Sequence, residues 1–143
     1  MLFYTGISRR ASDVLSDQKN NFIGEQTKFD SMVHMTQLVE KAKKNLYESD
    51  LEGFGKTLDE NWQLKKSLSN KISNNDINDL YSLAKKNGAL GGKLLGAGGG
   101  GFFLFCCKKR QQEKLRTGLK DFKEVKFIFD NNGSKSIEFN IED

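Results

Sequence analysis

Glycine occupies five of the six positions from 96 to 101, in the segment Gly96-Ala97-Gly98-Gly99-Gly100-Gly101. Because glycine has no Cβ and adopts positive φ angles readily, such a run lets the backbone approach a ligand closely. Successive accessible N–H groups also form a concave site for anions. The run lies between two apolar segments that are typical of strands. We therefore predict a strand, a phosphate-binding glycine loop and a second strand, with a flexible hairpin turn as the alternative.

Two familiar nucleotide motifs do not describe this run. Gly96, Gly98 and Gly101 match G-x-G-x-x-G, but that fingerprint must follow a strand and open a helix. Here an aromatic, strand-like segment beginning at Phe102 follows instead. The Walker A pattern requires Lys directly after its last glycine, where this sequence has Phe102. Both motifs are excluded, and a glycine-rich hairpin remains.

The composition is that of one globular domain. The chain has 143 residues, of which 36% are hydrophobic and 29% charged, and its formal net charge is +4. No apolar run approaches the ~18 residues of a membrane span, and no signal-peptide pattern opens the chain. Basic residues occur in short pairs mixed with acids, without the dense stripe of a nucleic-acid-binding module. We expect a cytoplasmic protein with neither a membrane nor a nucleic acid as its partner.

The two cysteines, Cys106 and Cys107, are adjacent and would point to opposite faces of a strand. His34 is the one histidine of the chain, so the residues that most often bind transition metals are scarce. We expect no metal site in this chain and interpret the two thiols as buried apolar side chains.

Hydrophobic spacing and capping residues predict the remaining elements. The first helix has Ser12 as a candidate N-cap, a later helix opens with the capping box Ser49–Glu52, and Asn74 caps the helix after it. The aromatic and methionine side chains of the helices before residue 70 are assigned to the core. The predicted helices cover residues 27–47, about 51–68, about 75–86 and 108–120, and the predicted strands cover residues 2–5, 90–95, 102–107, 125–129 and 137–141. This order indicates an α+β fold with helices against one face of a mainly antiparallel sheet.

The segment Ala89–Gly101, ALGGKLLGAGGGG, resembles the third conserved motif of the GHMP kinases, the superfamily of galactokinase, homoserine kinase, mevalonate kinase and phosphomevalonate kinase. Leu2–Ser12 and Glu60–Ser69 are similar to segments of the heptose 7-phosphate kinases within it. The resemblance covers residues 1–143 but only as the C-terminal domain of such a kinase, which implies a ferredoxin-like fold. The nucleotide loop and the catalytic acid of the family belong to an N-terminal half that is absent from this chain.

The resemblance implies an ATP-dependent kinase that uses Mg²⁺ and phosphorylates a sugar, a heptose phosphate, once this domain is joined to its N-terminal kinase half. No catalytic residue is expected in the chain itself. The resemblance places the nucleotide phosphates beside Gly96, Ala97, Gly98, Gly99, Gly100 and Gly101.

Ser8, Arg9 and Arg10 follow the end of the first predicted strand. Because the planar guanidinium of arginine fits phosphate oxygens, we hypothesise that these residues hold the phosphate of the sugar substrate. An ordinary basic turn is the alternative. Trp62 either packs in the core or stacks on a sugar ring. Lys93 either projects into the substrate cleft of the kinase or has a structural or surface role. A second reading of the whole chain is a non-catalytic binding or regulatory domain, or an inactive truncated remnant of a kinase.

Overall fold

The computed structural model describes residues 1–22 and 25–136, which form an α+β fold as the order of elements predicts. The strands are β1 Leu2–Tyr4, β2 Ala89–Leu94, β3 Phe102–Cys107 and β4 Glu124–Val125. The helices are α1 Ala11–Phe22, α2 Gln26–Tyr47, α3 Leu51–Ser67, α4 Asn75–Lys86 and α5 Gln112–Gly118, the last preceded by a 3₁₀ turn at Lys109–Gln111.

The four strands form one antiparallel sheet in the order β2-β3-β1-β4. β2 and β3 are neighbours, so the glycine loop, residues 96–101, connects two adjacent antiparallel strands as predicted. Tyr4 at the end of β1 pairs with Phe102 at the start of β3. The segment that leaves β1 and the glycine loop therefore lie at the same end of the sheet.

Aromatic residues form the centre of the core. Phe103 and Phe105 of β3 stack with their ring centroids 5.0 Å apart. Trp62 of α3 meets the edge of Phe103 at 5.2 Å, and Tyr81 of α4 lies 5.6 Å from the same ring. Such tilted and edge-on pairs suit the quadrupoles of the rings. Trp62 is fully buried, so core packing is confirmed and stacking on a sugar is excluded.

Helix α3 approaches β2 closely because both elements have glycine at the contact. A Cβ added to Gly91 would lie 1.9 Å from the carbonyl oxygen of Gly55, and one added to Gly55 would lie 2.4 Å from the Cβ of Leu90. A side chain at either glycine would push the helix away from the strand.

The helix caps agree with the sequence at one site and differ at two. The Asn74 side chain accepts a hydrogen bond from the Ile77 N–H at 2.9 Å, as predicted. The predicted capping box at Ser49 is wrong, because Asp50 is the N-cap of α3 and accepts from the Gly53 N–H at 2.9 Å. Ser49 instead adopts a left-handed φ of 57° that turns the chain into the helix. Ser12 is not a cap either, since it lies inside α1.

The assignment of the α2 aromatic and methionine side chains to the core is wrong for Phe29 and Met32, whereas Met35 packs against the core. The helix has the predicted length, but it buries only Leu38 and Asn45. Phe29 and Met32 are 54% and 39% exposed, and Val39 on the same apolar stripe is 61% exposed. α2 packs along α3, where the Asn45 amide donates to the Thr57 hydroxyl at 3.0 Å. Contacts with α3, and fewer with α1, cover only part of the surface of α2, so the helical period alone overstated how much of the helix is buried.

The last elements are shorter than predicted. The predicted helix 108–120 is divided into the 3₁₀ turn and α5. β4 ends at Val125, so the strand predicted at 125–129 is wrong beyond its first residue. Phe127 and Phe129 contact each other at 5.6 Å and are 46% and 86% exposed. The predicted strand Ile137–Ile141 lies outside the described residues.

The thiols of β3 face two environments. Cys106 is buried and Cys107 is half-buried, and both are free. Burial raises the pKa of each thiol above its usual value. The prediction that both thiols are buried apolar side chains is therefore confirmed for Cys106 and holds in part for Cys107.

Candidate functional site

The glycine loop is a closed hairpin connection. The Leu95 N–H donates to the Phe102 carbonyl at 2.9 Å and joins the two ends of the loop. Within it the φ angles of Gly98 and Gly99 are 120° and 77°. Side chains rarely adopt such left-handed angles, so the path of the loop requires glycine there.

Several backbone hydrogen bonds hold the loop against neighbouring segments. The Gly99 N–H donates to the Ile72 carbonyl at 2.7 Å, and the Gly101 N–H donates to the Ile7 carbonyl at 2.8 Å. In return, Thr5 donates to the Gly101 carbonyl through its N–H at 2.9 Å and its hydroxyl at 3.0 Å. The loop is therefore fixed in place by the segments after β1 and after α3.

The loop also contacts its neighbours without room for side chains. A Cβ on Gly98 would lie 3.0 Å from the Ile72 Cα, and one on Gly100 would lie 2.5 Å from the Ile7 carbonyl oxygen. Both obstacles include backbone atoms, which cannot move aside as the end of a flexible side chain can. These glycines therefore set the distance between the loop and the segments beside it.

A cleft of about 280 Å³ opens between the glycine loop and the segment after β1. Ser8 and Arg9 line it, so the structure brings two of the three predicted substrate residues to the loop, whereas Arg10 does not line it. All members of the loop except Gly99 line it as well. The Arg9 guanidinium forms no ion pair with any residue that the structure describes.

The polar groups of the cleft suit an anion. Gly99 and Gly101 use their N–H groups to hold the loop. The N–H groups of Gly96, Ala97, Gly98 and Gly100 have no hydrogen-bond acceptor within residues 1–22 and 25–136. The residues that line the cleft are Tyr4, Ile7, Ser8, Arg9, Ala11, Leu95, Gly96, Ala97, Gly98, Gly100, Gly101 and Phe102, and none of them is acidic.

The sequence did not identify three residues that hold the loop. Thr5 and Ile72 bind it as described above, and the Lys65 ammonium donates to the Gly96 carbonyl. Lys65 and Gly96 are 31 positions apart, and no local pattern connects them. Thr5 could have been noticed as a polar residue that ends a buried strand.

The described ranges contain neither a cluster of metal ligands nor a helix that could span a membrane. No three His, Cys, Asp or Glu side chains there lie close enough together to hold a metal ion. None of the helices in those ranges combines the length and the apolar character that crossing a bilayer requires.

Comparison with known proteins identifies the domain. Residues 42–124 match the family model described as GHMP kinases C terminal. Over 98 residues the chain is 33% identical to the D-glycero-alpha-D-manno-heptose 7-phosphate kinase of Campylobacter jejuni. The match covers 68% of this chain and 29% of that kinase, so the chain spans less than a third of the relative's length.

Solved structures share the fold. The L. major mevalonate kinase, in complex with R-mevalonate, matches with a TM-score of 0.75 at 24% identity, over 84% of this chain and 37% of that one. The Streptococcus pneumoniae phosphomevalonate kinase, in complex with phosphomevalonate and AMPPNP, matches with a TM-score of 0.67 at 18% identity, over 87% and 37%. Together with the family model, these findings confirm the resemblance seen in the glycine motif. The chain belongs to the GHMP kinases and contains their C-terminal domain.

Proposed function

We propose that this chain is the C-terminal domain of an ATP-dependent sugar kinase that phosphorylates a heptose phosphate. The observation that carries the proposal is the cleft lined by Ser8, Arg9 and loop residues whose N–H groups have no acceptor among the described residues, with no acidic residue in its lining. The similarity to a heptose 7-phosphate kinase supports the substrate class. The complex of a structural neighbour with AMPPNP supports ATP as the phosphoryl donor.

In this proposal the chain binds and positions phosphate groups. Phosphoryl transfer depends on positioning and on neutralising charge, and ATP supplies the group that is transferred. The N–H groups of Gly96, Ala97, Gly98 and Gly100 hydrogen-bond phosphate oxygens, while Gly99 and Gly101 keep the loop rigid. Arg9, with Ser8 beside it, holds the phosphate already present on the sugar.

The chemical step itself is assigned to the N-terminal kinase half. We assign no catalytic residue to this chain, because no carboxylate or imidazole lines the cleft. For the same reason the residues that line the cleft do not fit a Mg²⁺ site, and we assign no metal ligand there. The free thiols of Cys106 and Cys107 are compatible with the reducing cytoplasm, which we propose as the location.

Complementation of a truncated kinase tests the function. The Campylobacter jejuni relative is shortened by the region that this chain matches, co-expressed with this chain and assayed for ATP-dependent phosphorylation of the heptose 7-phosphate. We expect activity that requires both parts. Formation of a stable complex without any transfer would instead favour a non-catalytic binding or regulatory domain.

A pair of aspartate variants tests whether the cleft is the site. Ser8→Asp places a carboxylate in the cleft, and we expect kcat/KM to fall at least about tenfold because the carboxylate repels the phosphates. Ser82→Asp makes the same change at an exposed position of α4 that does not line the cleft, and it should leave kcat/KM unchanged. Equal rates for the two variants would contradict the assignment.

A further inference from the structure

Basic side chains from three segments meet in one pocket at the end of the sheet opposite the glycine loop. β2 begins at Ala89, which pairs with Cys107 at the end of β3, whereas the glycine loop joins the other ends of these strands. The pocket has a volume of about 370 Å³, and no acidic residue lines it. The basic pocket, as we call it, is lined by five cations: Lys85, Lys86, Lys108, Arg110 and Lys114.

Most of these cations have no acidic partner. Lys85 pairs with Asp59 at 3.0 Å, and Lys108 pairs with Glu52, so acids outside the lining neutralise two of the five charges. The other three are exposed and form no ion pair within residues 1–22 and 25–136: Lys86, Arg110 and Lys114. The basic pocket therefore keeps an excess of positive charge.

Helix stability explains only part of this cluster. Lys85 and Lys86 lie in the last turn of α4, where positive charge complements the negative end of the helix dipole. Lys114 is the third residue of α5, where a positive charge is unfavourable for the same reason. Like charges around one pocket also repel one another. An anion bound in the pocket would offset both of these costs.

The form of the basic pocket indicates a small ligand with several negative charges close together. Its volume lies within the ~300–1,000 Å³ that is typical of small-molecule sites. Nucleic-acid modules extend their cations along a face or a helix, whereas these surround one pocket. Adjacent phosphates concentrate charge more than the carboxylates of a peptide do. The guanidinium of Arg110 also suits phosphate oxygens, which it can bind in a bidentate manner.

We propose that the basic pocket binds the diphosphate group of a small molecule. Lys86, Arg110 and Lys114 contact the phosphate oxygens, and Ala89 and Leu90 offer an apolar surface to whatever is attached to them. No residue lines both this pocket and the cleft beside the glycine loop. The site is therefore separate from the proposed kinase site and does not depend on the kinase function.

NMR titration of the isotope-labelled chain tests the site without enzymatic activity. Pyrophosphate, inorganic phosphate or ADP is added in about 0.15 M salt, which screens general attraction beyond about 8 Å. We expect pyrophosphate to shift the Arg110 Nε–H signal and the Gly88 and Gln111 amide signals. It should do so at about tenfold lower concentration than inorganic phosphate, because its second phosphate adds a charge-assisted hydrogen bond.

The titration with ADP distinguishes two sources of the diphosphate group. Binding of ADP at these signals as tight as that of pyrophosphate, or tighter, would support the site and assign it to a nucleotide. Weaker binding of ADP would support the site with inorganic pyrophosphate as the ligand. Shifts at residues 96–101 report separately on anions that bind the glycine loop.

Three variants test the side chains. Arg110→Met and Lys114→Met should each weaken pyrophosphate binding about tenfold or more, because each removes a charge-assisted hydrogen bond. Lys109→Met is the matched control. It removes the same charge from an exposed residue next to Arg110 that does not line the pocket, and it should weaken binding much less.

Three results would overturn the proposal. Equal losses in Arg110→Met and Lys109→Met would mean that net charge alone attracts the anion. Equal affinities for pyrophosphate and inorganic phosphate would refute the diphosphate assignment. Shifts confined to residues 96–101 would place the anion at the glycine loop instead of the basic pocket.

Discussion

Alanine substitutions at Gly96, Gly98 and Gly100 separate the two reasons for which the loop requires glycine. Gly96 has a φ of 73°, but a Cβ there would meet nothing within 4 Å. Gly100 lacks a left-handed φ, but a Cβ there would lie 2.5 Å from the Ile7 carbonyl oxygen. Gly98 combines a φ of 120° with a contact of 3.0 Å to Ile72.

These geometries give an order of destabilisation. A left-handed angle costs an L-residue about 1–2 kcal/mol, and the stiffer unfolded chain offsets about 0.4–1 kcal/mol of it, so Gly96→Ala should cost about 1 kcal/mol. Gly100→Ala should cost about 1–3 kcal/mol through overpacking against Ile7. Gly98→Ala has both penalties and should cost about 2–4 kcal/mol.

Urea unfolding of the wild type and the three variants, followed by circular dichroism, measures these costs. We expect the midpoints to fall in the order wild type, Gly96→Ala, Gly100→Ala, Gly98→Ala, with an unchanged dependence on urea concentration. A neutral Gly100→Ala would refute the close contact with Ile7. A larger loss for Gly96→Ala than for Gly98→Ala would refute the separation into backbone and contact costs.

Three further predictions concern the cleft, the pH dependence and the helix pair. In the complemented kinase, steady-state kinetics should show that Arg9→Ala raises KM for the sugar phosphate about tenfold or more. Arg10→Ala should raise this KM much less. Equal effects of the two variants would contradict the assignment of Arg9 to the substrate cleft. Burial raises the pKa of Asp59, but the hydrogen bonds it accepts outweigh this and hold its pKa below the usual value. Its contribution to stability is therefore present above about pH 4 and is lost as the pH falls further, so Asp59→Asn should flatten the acid limb of thermal unfolding. Thr57→Val removes the acceptor of the buried Asn45 amide and should cost about 1–3 kcal/mol in urea unfolding, whereas a neutral result would argue against that hydrogen bond.

Local chemistry made part of this molecule predictable. The glycine run predicted a loop between strands, because only a few backbone paths suit so many glycines between apolar segments. The Asn74 cap followed from one side chain and a donor three residues later. The helical period favoured core packing for Trp62, which was one of the two alternatives left open for it. Each of these features depends on neighbours in sequence.

The remaining features depend on contacts between distant residues. Phe29 and Val39 lie on an apolar stripe, but the stripe does not reveal that the neighbouring helices cover only part of α2. Ser49 and Asp50 are both good caps, and the left-handed angle at Ser49 decides between them. Lys65 reaches the loop across 31 residues, and Arg9 rather than Arg10 lines the cleft because of how the turn after β1 is folded.

Asp59 has a consequence for how the protein behaves at high concentration. β2 is an outer strand, and an outer strand offers unpaired backbone groups to which another chain can add. Here Lys85 donates to the Leu90 carbonyl at 2.7 Å. Asp59 accepts from Lys85 at 3.0 Å and from the Tyr81 hydroxyl at 2.5 Å. One carboxylate of α3 thus holds Lys85 against the open edge of the sheet, and a lysine at an edge strand is a feature that disfavours edge-to-edge aggregation.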